Sequence, residues 1–204
     1  MSQNLVPEGQ AASGQAKTVA AAVQTQSGIS PGEFEEALNR VKNDGTRLVL
    51  WPDNDRGADA FAKELAKRDI IKYNGKVGNL NAPWFGSWFF VRKHWLLDGL
   101  PTDCAMDWRY GISAFGGPEW LKESPKGTNT DGLLIDGKGV EAVIGYGADH
   151  NPKVGMSGCV IPYGKGKIIL YCLPQLVQSL QAKGDFAINR VICERLLANS
   201  LQSR

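Results

Sequence analysis

The stretch SPGEFEEALNRVKNDGTRLVLW, residues 30–51, reads as a complete helix followed at once by a buried strand. Ser30 and Glu33 have capping-box spacing, and Pro31 suits the first helical position, where its missing N–H has no partner to lose. Acids fill the first turn, where the helix dipole favours them. Phe34, Ala37, Leu38 and Val41 then fall three, four and seven residues after the first, one face of a 3.6-residue period. Asn43-Asp44-Gly45 ends the helix with turn chemistry, and the short apolar run of TRLVLW has strand composition.

The pattern continues outward in both directions. Asp53 or Asp55 is placed to cap GADAFAKELAKRD, in which Ala58, Phe61, Ala62 and Leu65 form a second apolar stripe. With KTVAAAV as an earlier strand, the helix-strand-helix order predicts an α/β fold with an open, mostly parallel sheet flanked by helices. Towards the C-terminus, GLLIDGKGVEAVIGYG reads as a hairpin turning at Asp136-Gly137-Lys138-Gly139. GMSGCVIPYGKGKIILYCLP reads as a second hairpin turning at Gly164-Lys165-Gly166, with Ile168 to Cys172 suited to a central strand. Asp185 is placed to cap FAINRVICERLLANSL, whose Ile188, Ile192 and Leu196 line one face. Between residues 73 and 131, Gly, Pro, Trp and Asn recur too often for long regular elements, which predicts an irregular, aromatic-rich insertion with short strands. The expected organisation is a frayed or truncated segment over 1–28 and a single α/β domain over 29–204.

Composition removes several function classes. The 204 residues carry 23 basic and 21 acidic side chains spread along the chain, for a net charge of +2, so no footprint for nucleic acid or anionic lipid stands out. The first 28 residues lack the basic start and apolar run of a secretory signal, and no stretch approaches the roughly 18 apolar residues of a membrane span. A soluble chain with no nucleic-acid or membrane partner is expected, and its localisation is left open. Cys104, Cys159, Cys172 and Cys193 stand far apart among apolar or small neighbours, which reads as packed thiols rather than a zinc site or dithiol. With two isolated histidines there is no ligand cluster, so no metal is expected. The glycines of YGKGK lack the longer frame of a phosphate loop and suit a turn between strands, so no cofactor is expected either.

Candidate chemistry is sparse. No G-x-S-x-G is present; Cys159 comes nearest to an elbow, but lies in a predicted strand. Glu141 could serve as a glycosidase acid, though its context is that of an ordinary hydrogen-bonded glutamate. Asp149 and His150 begin a polar loop beyond a strand end, where α/β folds often bind ligands. The densest feature is APWFGSWFFVRKHWLLDGLP, residues 82–101. Trp88, Phe89 and Phe90 are expected to be buried, whereas Trp84, Trp95 and His94 are the candidates for ligand or interface contact. Aromatics serve protein interfaces and sugar faces alike, so both readings stay open. The stretch as a whole reads as an insertion laid over the sheet.

Taken together, APWFGSWFFVRKHWLLDGLPTDCAMDWRYG, VEAVIGYGADHNPKVGMSGCVIPYGKGKIILYCLPQL and AINRVICERLLANSL resemble the C-terminal region of bacterial family 2, β-galactosidase-like glycoside hydrolases. That region is similar to the class I glutamine amidotransferase-like, or flavodoxin-like, fold also used by β-galactosidase trimerisation domains. The likeness covers about residues 30 to 202. It implies a non-catalytic accessory domain that stabilises a catalytic barrel or subunit contacts, with other domains or subunits of a parent hydrolase, and carbohydrate, as partners; such parents are often secreted or periplasmic. It also implies that the family's first strand should precede residue 4 and that the chain is a fragment. The amidotransferase machinery is a cysteine in an elbow with a downstream His-x-Glu. Here no cysteine has the elbow, and His94 and His150 are followed by Trp-Leu and Asn-Pro. No catalytic residue is carried over. The alternatives are a carbohydrate-binding module using Trp84 and Trp95, and an amidotransferase-like hydrolase using Cys159 with His150 or His94.

Overall fold

The computed structural model describes residues 19–24, 29–52, 55–77, 87–107, 132–148, 151–180 and 187–202. The first helix, α1 (Pro31–Asp44), follows from local sequence. Ser30 Oγ accepts the Glu33 N–H at 3.3 Å and Glu33 Oε2 accepts the Ser30 N–H at 3.0 Å, closing the capping box. Gly45 ends the helix in the left-handed conformation at φ 74°, and Phe34, Leu38 and Val41 are buried. The strand β2 (Arg47–Pro52) follows, then α2 (Asp55–Lys67), which starts with Asp55 in its first turn; Asp53 lies outside the described residues. The strand expected in KTVAAAV is β1 (Val19–Gln24), which carries the sheet into the first 28 residues.

The remaining elements are β3 (Lys72–Val77), β4 (Ser87–Val91), the 3-10 turn Trp95–Leu97, β5 (Cys104–Asp107), β6 (Gly132–Asp136), β7 (Glu141–Ala148), β8 (Val154–Tyr163), β9 (Gly166–Tyr171), α3 (Pro174–Ser179) and α4 (Ala187–Leu201). Among the described residues, nine strands join one sheet. Seven follow the order β1-β2-β9-β8-β7-β4-β5, with β6 joined to β8 and β3 to β6.

The α/β class holds, but the sheet is mixed, not mostly parallel. Among the described residues, only β1–β2 and β2–β9 are parallel; the other strand pairs described are antiparallel. Two features explain the difference. The β8–β9 hairpin reverses the chain through the tight turn Gly164-Lys165, with Tyr163 opposite Gly166. The aromatic stretch, expected to lie over the sheet, instead supplies β4, a sheet member between β7 and β5.

The expected hairpin of β6 with β7 does not form either. β6 pairs with β3 and β8, while β7 pairs with β8 and β4. The two runs serve opposite faces: Leu133 and Ile135 of β6 join the core under α1 and α2, whereas Val143, Ile144 and Tyr146 of β7 join the other core. Where β6 meets β8 at Leu133 and Met156, the backbones of Gly132 and Gly155 approach so closely that neither has room for a side chain.

Helices cover both faces. Along β2, Leu48 and Leu50 point towards α1 and α2, whereas Val49 and Trp51 point towards α3 and α4; Ile168, Leu170 and Cys172 against Ile169 and Tyr171 do the same along and just after β9. Strands buried on both faces read as continuous apolar runs, as these do. Cys159, Cys172 and Cys193 are all buried, as their neighbours implied; the side chain of Cys104 lies outside the described residues.

Candidate functional site

The expected site residues divide at once. Trp84, Asp149 and His150 lie outside the described residues, whereas His94 and Trp95 form the centre of a polar cluster at the end of β4. β4 continues its ladder one residue past its end, the Arg92 N–H donating to the Val143 carbonyl at 3.2 Å, and the chain then turns into the 3-10 helix. His94 caps that turn from an extended conformation: its Nδ1 accepts the Leu96 N–H at 3.2 Å. Leu96 and Leu97 enter the core under α4.

The other ring nitrogen of His94 faces β7. Nε2 lies 3.2 Å from Glu141 Oε2, and the imidazole side chain is only 12% exposed. Since Nδ1 accepts a backbone N–H, the neutral ring carries its proton on Nε2 and donates it to Glu141. Burial pushes the His94 pKa below its ordinary value. Glu141 pulls the other way, and Lys167 and Arg92 push it down again. Both nitrogens are therefore engaged, and neither is free to act as a general base.

Trp95 is equally committed. The Arg47 guanidinium carbon stands 4.8 Å from its ring centroid and the Lys167 ammonium 5.8 Å, while the His94 ring lies 5.2 Å away. Arg47 opens β2 and Lys167 is the second residue of β9, and the two face each other in the strand register. Arg47 also donates to the Ser200 carbonyl at 3.5 Å and to that of Gln202, a cation at the negative end of α4. Neither cation was singled out from sequence. The signal was nonetheless there, because Arg47 shares a strand face with Val49 and Trp51, and Lys167 shares one with Ile169 and Tyr171.

The same corner is tied to α4 by amide and hydroxyl groups. Asn199, 3% exposed, donates through Nδ2 to the carbonyls of Leu96 at 2.9 Å and Asp98 at 3.0 Å. Ser200 Oγ donates to the Leu196 carbonyl at 2.7 Å and lies 2.9 Å from the buried Tyr171 hydroxyl. Asn199→Ala would remove the hydrogen bonds to both carbonyls, so a loss of about 2 kcal/mol in urea unfolding is expected. A loss below about 0.5 kcal/mol would show that the amide contributes little.

The thiols are set for inertness. Cys159 is 1% exposed, and burial pushes its thiol up to about 12, with the hydrogen bond to the Leu170 backbone pulling back. Burial likewise pushes Cys193 up to about 12, with Glu194 adding to it. A nucleophilic cysteine needs the opposite shift. Among the described residues no group of three or more His, Cys, Asp or Glu side chains is placed to hold a metal ion, and no helix is long and apolar enough to cross a membrane.

Together these side chains fasten a turn, a helix end and two strand starts to each other. Compared with known proteins, the chain matches no family model, no curated protein and no solved structure.

Proposed function

We propose that this chain is a non-catalytic α/β scaffold domain that works within a larger carbohydrate-degrading enzyme, where it packs against the catalytic barrel or a neighbouring subunit. One observation carries the non-catalytic part. The described side chains best suited to covalent or acid-base chemistry are built into the framework, His94 by both ring nitrogens and Cys159 and Cys193 by burial. The parent enzyme is supplied by the sequence resemblance to the C-terminal region of family 2 glycoside hydrolases. Sugar stacking on Trp95 is opposed by the cations already on that indole.

The test combines turnover with thiol labelling. The purified chain is expected to unfold cooperatively, to hydrolyse neither aryl galactosides nor glutamine, and to leave Cys159 and Cys193 unlabelled by iodoacetamide at about pH 8 until it is unfolded. Hydrolysis abolished by Cys159→Ser or His94→Ala would overturn the reading. Quenching of tryptophan fluorescence by millimolar galactoside would replace it with a carbohydrate-binding role.

A further inference from the structure

We propose that His94 is a proton-operated latch, holding the Trp95–Leu97 turn and the C-terminal end of α4 against the sheet at neutral pH and loosening both on acidification. The latch is the acceptor Nδ1. It takes the Leu96 N–H at 3.2 Å, and only an unprotonated nitrogen can do so. A solvent proton entering the ring must bind at Nδ1, because Nε2 already carries one towards Glu141. The imidazolium then presents N–H to N–H, and the cap of the turn is lost.

The surroundings set when this happens and how far it spreads. Glu141 from β7 faces Nε2 and favours the proton; it is half-exposed, so its pull is screened by solvent. Against it act burial of the ring and two cations, Arg92 from the β4 end and Lys167 from β9, which hold protonation below the usual histidine range. From β2, Arg47 faces the adjoining Trp95. From α4 the Asn199 amide reaches the Leu96 and Asp98 carbonyls, and the Arg195 guanidinium, a further cation, lies beside Gly99, 3.8 Å from where a methyl group on that glycine would stand. Asp103 is occupied with the Lys93 N–H at 3.1 Å.

Because the folded ring takes its proton at lower pH than the unfolded one, its contribution to stability is complete above about 6.5 and is lost as pH falls through the folded value. Release of the Leu96 N–H is transmitted directly, since the Leu96 carbonyl holds Asn199 and the neighbouring Trp95 holds Arg47, which caps α4. The effect requires no partner and is read in the chain alone.

The experiment follows the His94 ring by NMR while measuring the hydrogen-exchange protection factor of the Leu96 amide between about pH 7.5 and about pH 5. Leu96 protection is expected to fall about fivefold to tenfold, with the midpoint of the ring titration. His94→Asn keeps an acceptor that cannot titrate, so its Leu96 protection should be flat over the same range. Glu141→Gln removes the acidic partner and should move both midpoints together to lower pH. The latch is refuted if Leu96 protection ignores the ring titration, or if His94→Asn shows the same fall. Should His94→Asn not fold, Glu141→Gln decides: a ring midpoint that moves without Leu96 following it refutes the proposal.

Discussion

Trp51→Ala is expected to lower the stability of the domain by about 4–5 kcal/mol. The indole is 1% exposed in the core beneath α3 and α4, and its ring centroid lies 4.3 Å from that of Tyr171 on the neighbouring strand. Truncating a buried tryptophan to alanine costs about 3–5 kcal/mol in lost transfer energy and residual cavity. A second loss adds to it. Trp51 Nε1 donates to the Leu173 carbonyl at 3.1 Å, where β9 leads into α3; removing it takes away one of that buried carbonyl's donors and leaves it the Leu176 N–H at 3.2 Å. Against a typical total of about 5–15 kcal/mol, such a loss brings the domain close to its unfolding threshold. Urea unfolding followed by circular dichroism would measure it, and Trp51→Phe separates the two contributions. Phenylalanine retains most of the packing and loses the hydrogen bond, so it should cost about 1–2 kcal/mol. Equal losses for Ala and Phe would show that the hydrogen bond, not the packing, dominates; a loss under about 2 kcal/mol for Ala would contradict the tight packing itself.

What could be read from sequence was what is decided locally. The capping box of Ser30 and Glu33, the stop at Gly45 and the buried face of Phe34, Leu38 and Val41 all lie within one turn or one helix of the residues that cause them. The two-sided burial of β2 and β9 was legible for the same reason. Strand pairing was legible where a tight turn joins two neighbours, as in the expected β8–β9 hairpin at Gly164-Lys165, but not elsewhere, because register there is set by partners far away in the chain. Ser87–Val91 illustrates the failure: its apolar residues fall on both faces, Phe89 and Val91 buried on one and Phe90, expected to be buried, only half-buried on the other. Phe89 packs edge-on against Tyr146, while Phe90, opposite Gly145, fills the space left open by Gly145 and Gly147. A strand with aromatics on both faces has no period of two to detect. The polar corner inherited that blindness. His94 was visible as a rare residue among aromatics, but its meeting with Glu141, 47 residues away, depends on the pairing of β4 with β7. Arg47 was read as part of a strand, and only the three-dimensional fold brings it under Trp95 and against the end of α4.

Gly166→Ala should destabilise the domain by about 3 kcal/mol, at the upper end of the range for overpacking a core. Gly166 opens β9 directly after the β8–β9 turn, and that turn is pressed against the end of α1. The Lys165 N–H donates to the Lys42 carbonyl at 2.9 Å and the Lys167 N–H to the Thr46 carbonyl at 3.3 Å, so the hairpin supplies donors to the end of the helix and the residue that follows its cap. A methyl group on Gly166 would stand 2.7 Å from the Val41 carbonyl oxygen and closer still to that of Thr46. Both obstacles are backbone, so no side chain can swing aside, and the hairpin must withdraw from the helix with the loss of its two hydrogen bonds. Conformation is not the cause, because Gly166 has an ordinary negative or extended φ, unlike Gly164 at φ 58°. Gly32 in the first turn of α1 provides the control, since nothing lies within 4 Å of a methyl group placed there. Gly32→Ala should therefore be neutral or stabilise by up to about 1 kcal/mol, through reduced freedom of the unfolded chain. Urea midpoints of the two variants should thus move in opposite directions or by very different amounts. Similar midpoints would mean that the hairpin does not rest on the end of α1, and the contact that joins the outer helix to the central strands would have to be abandoned.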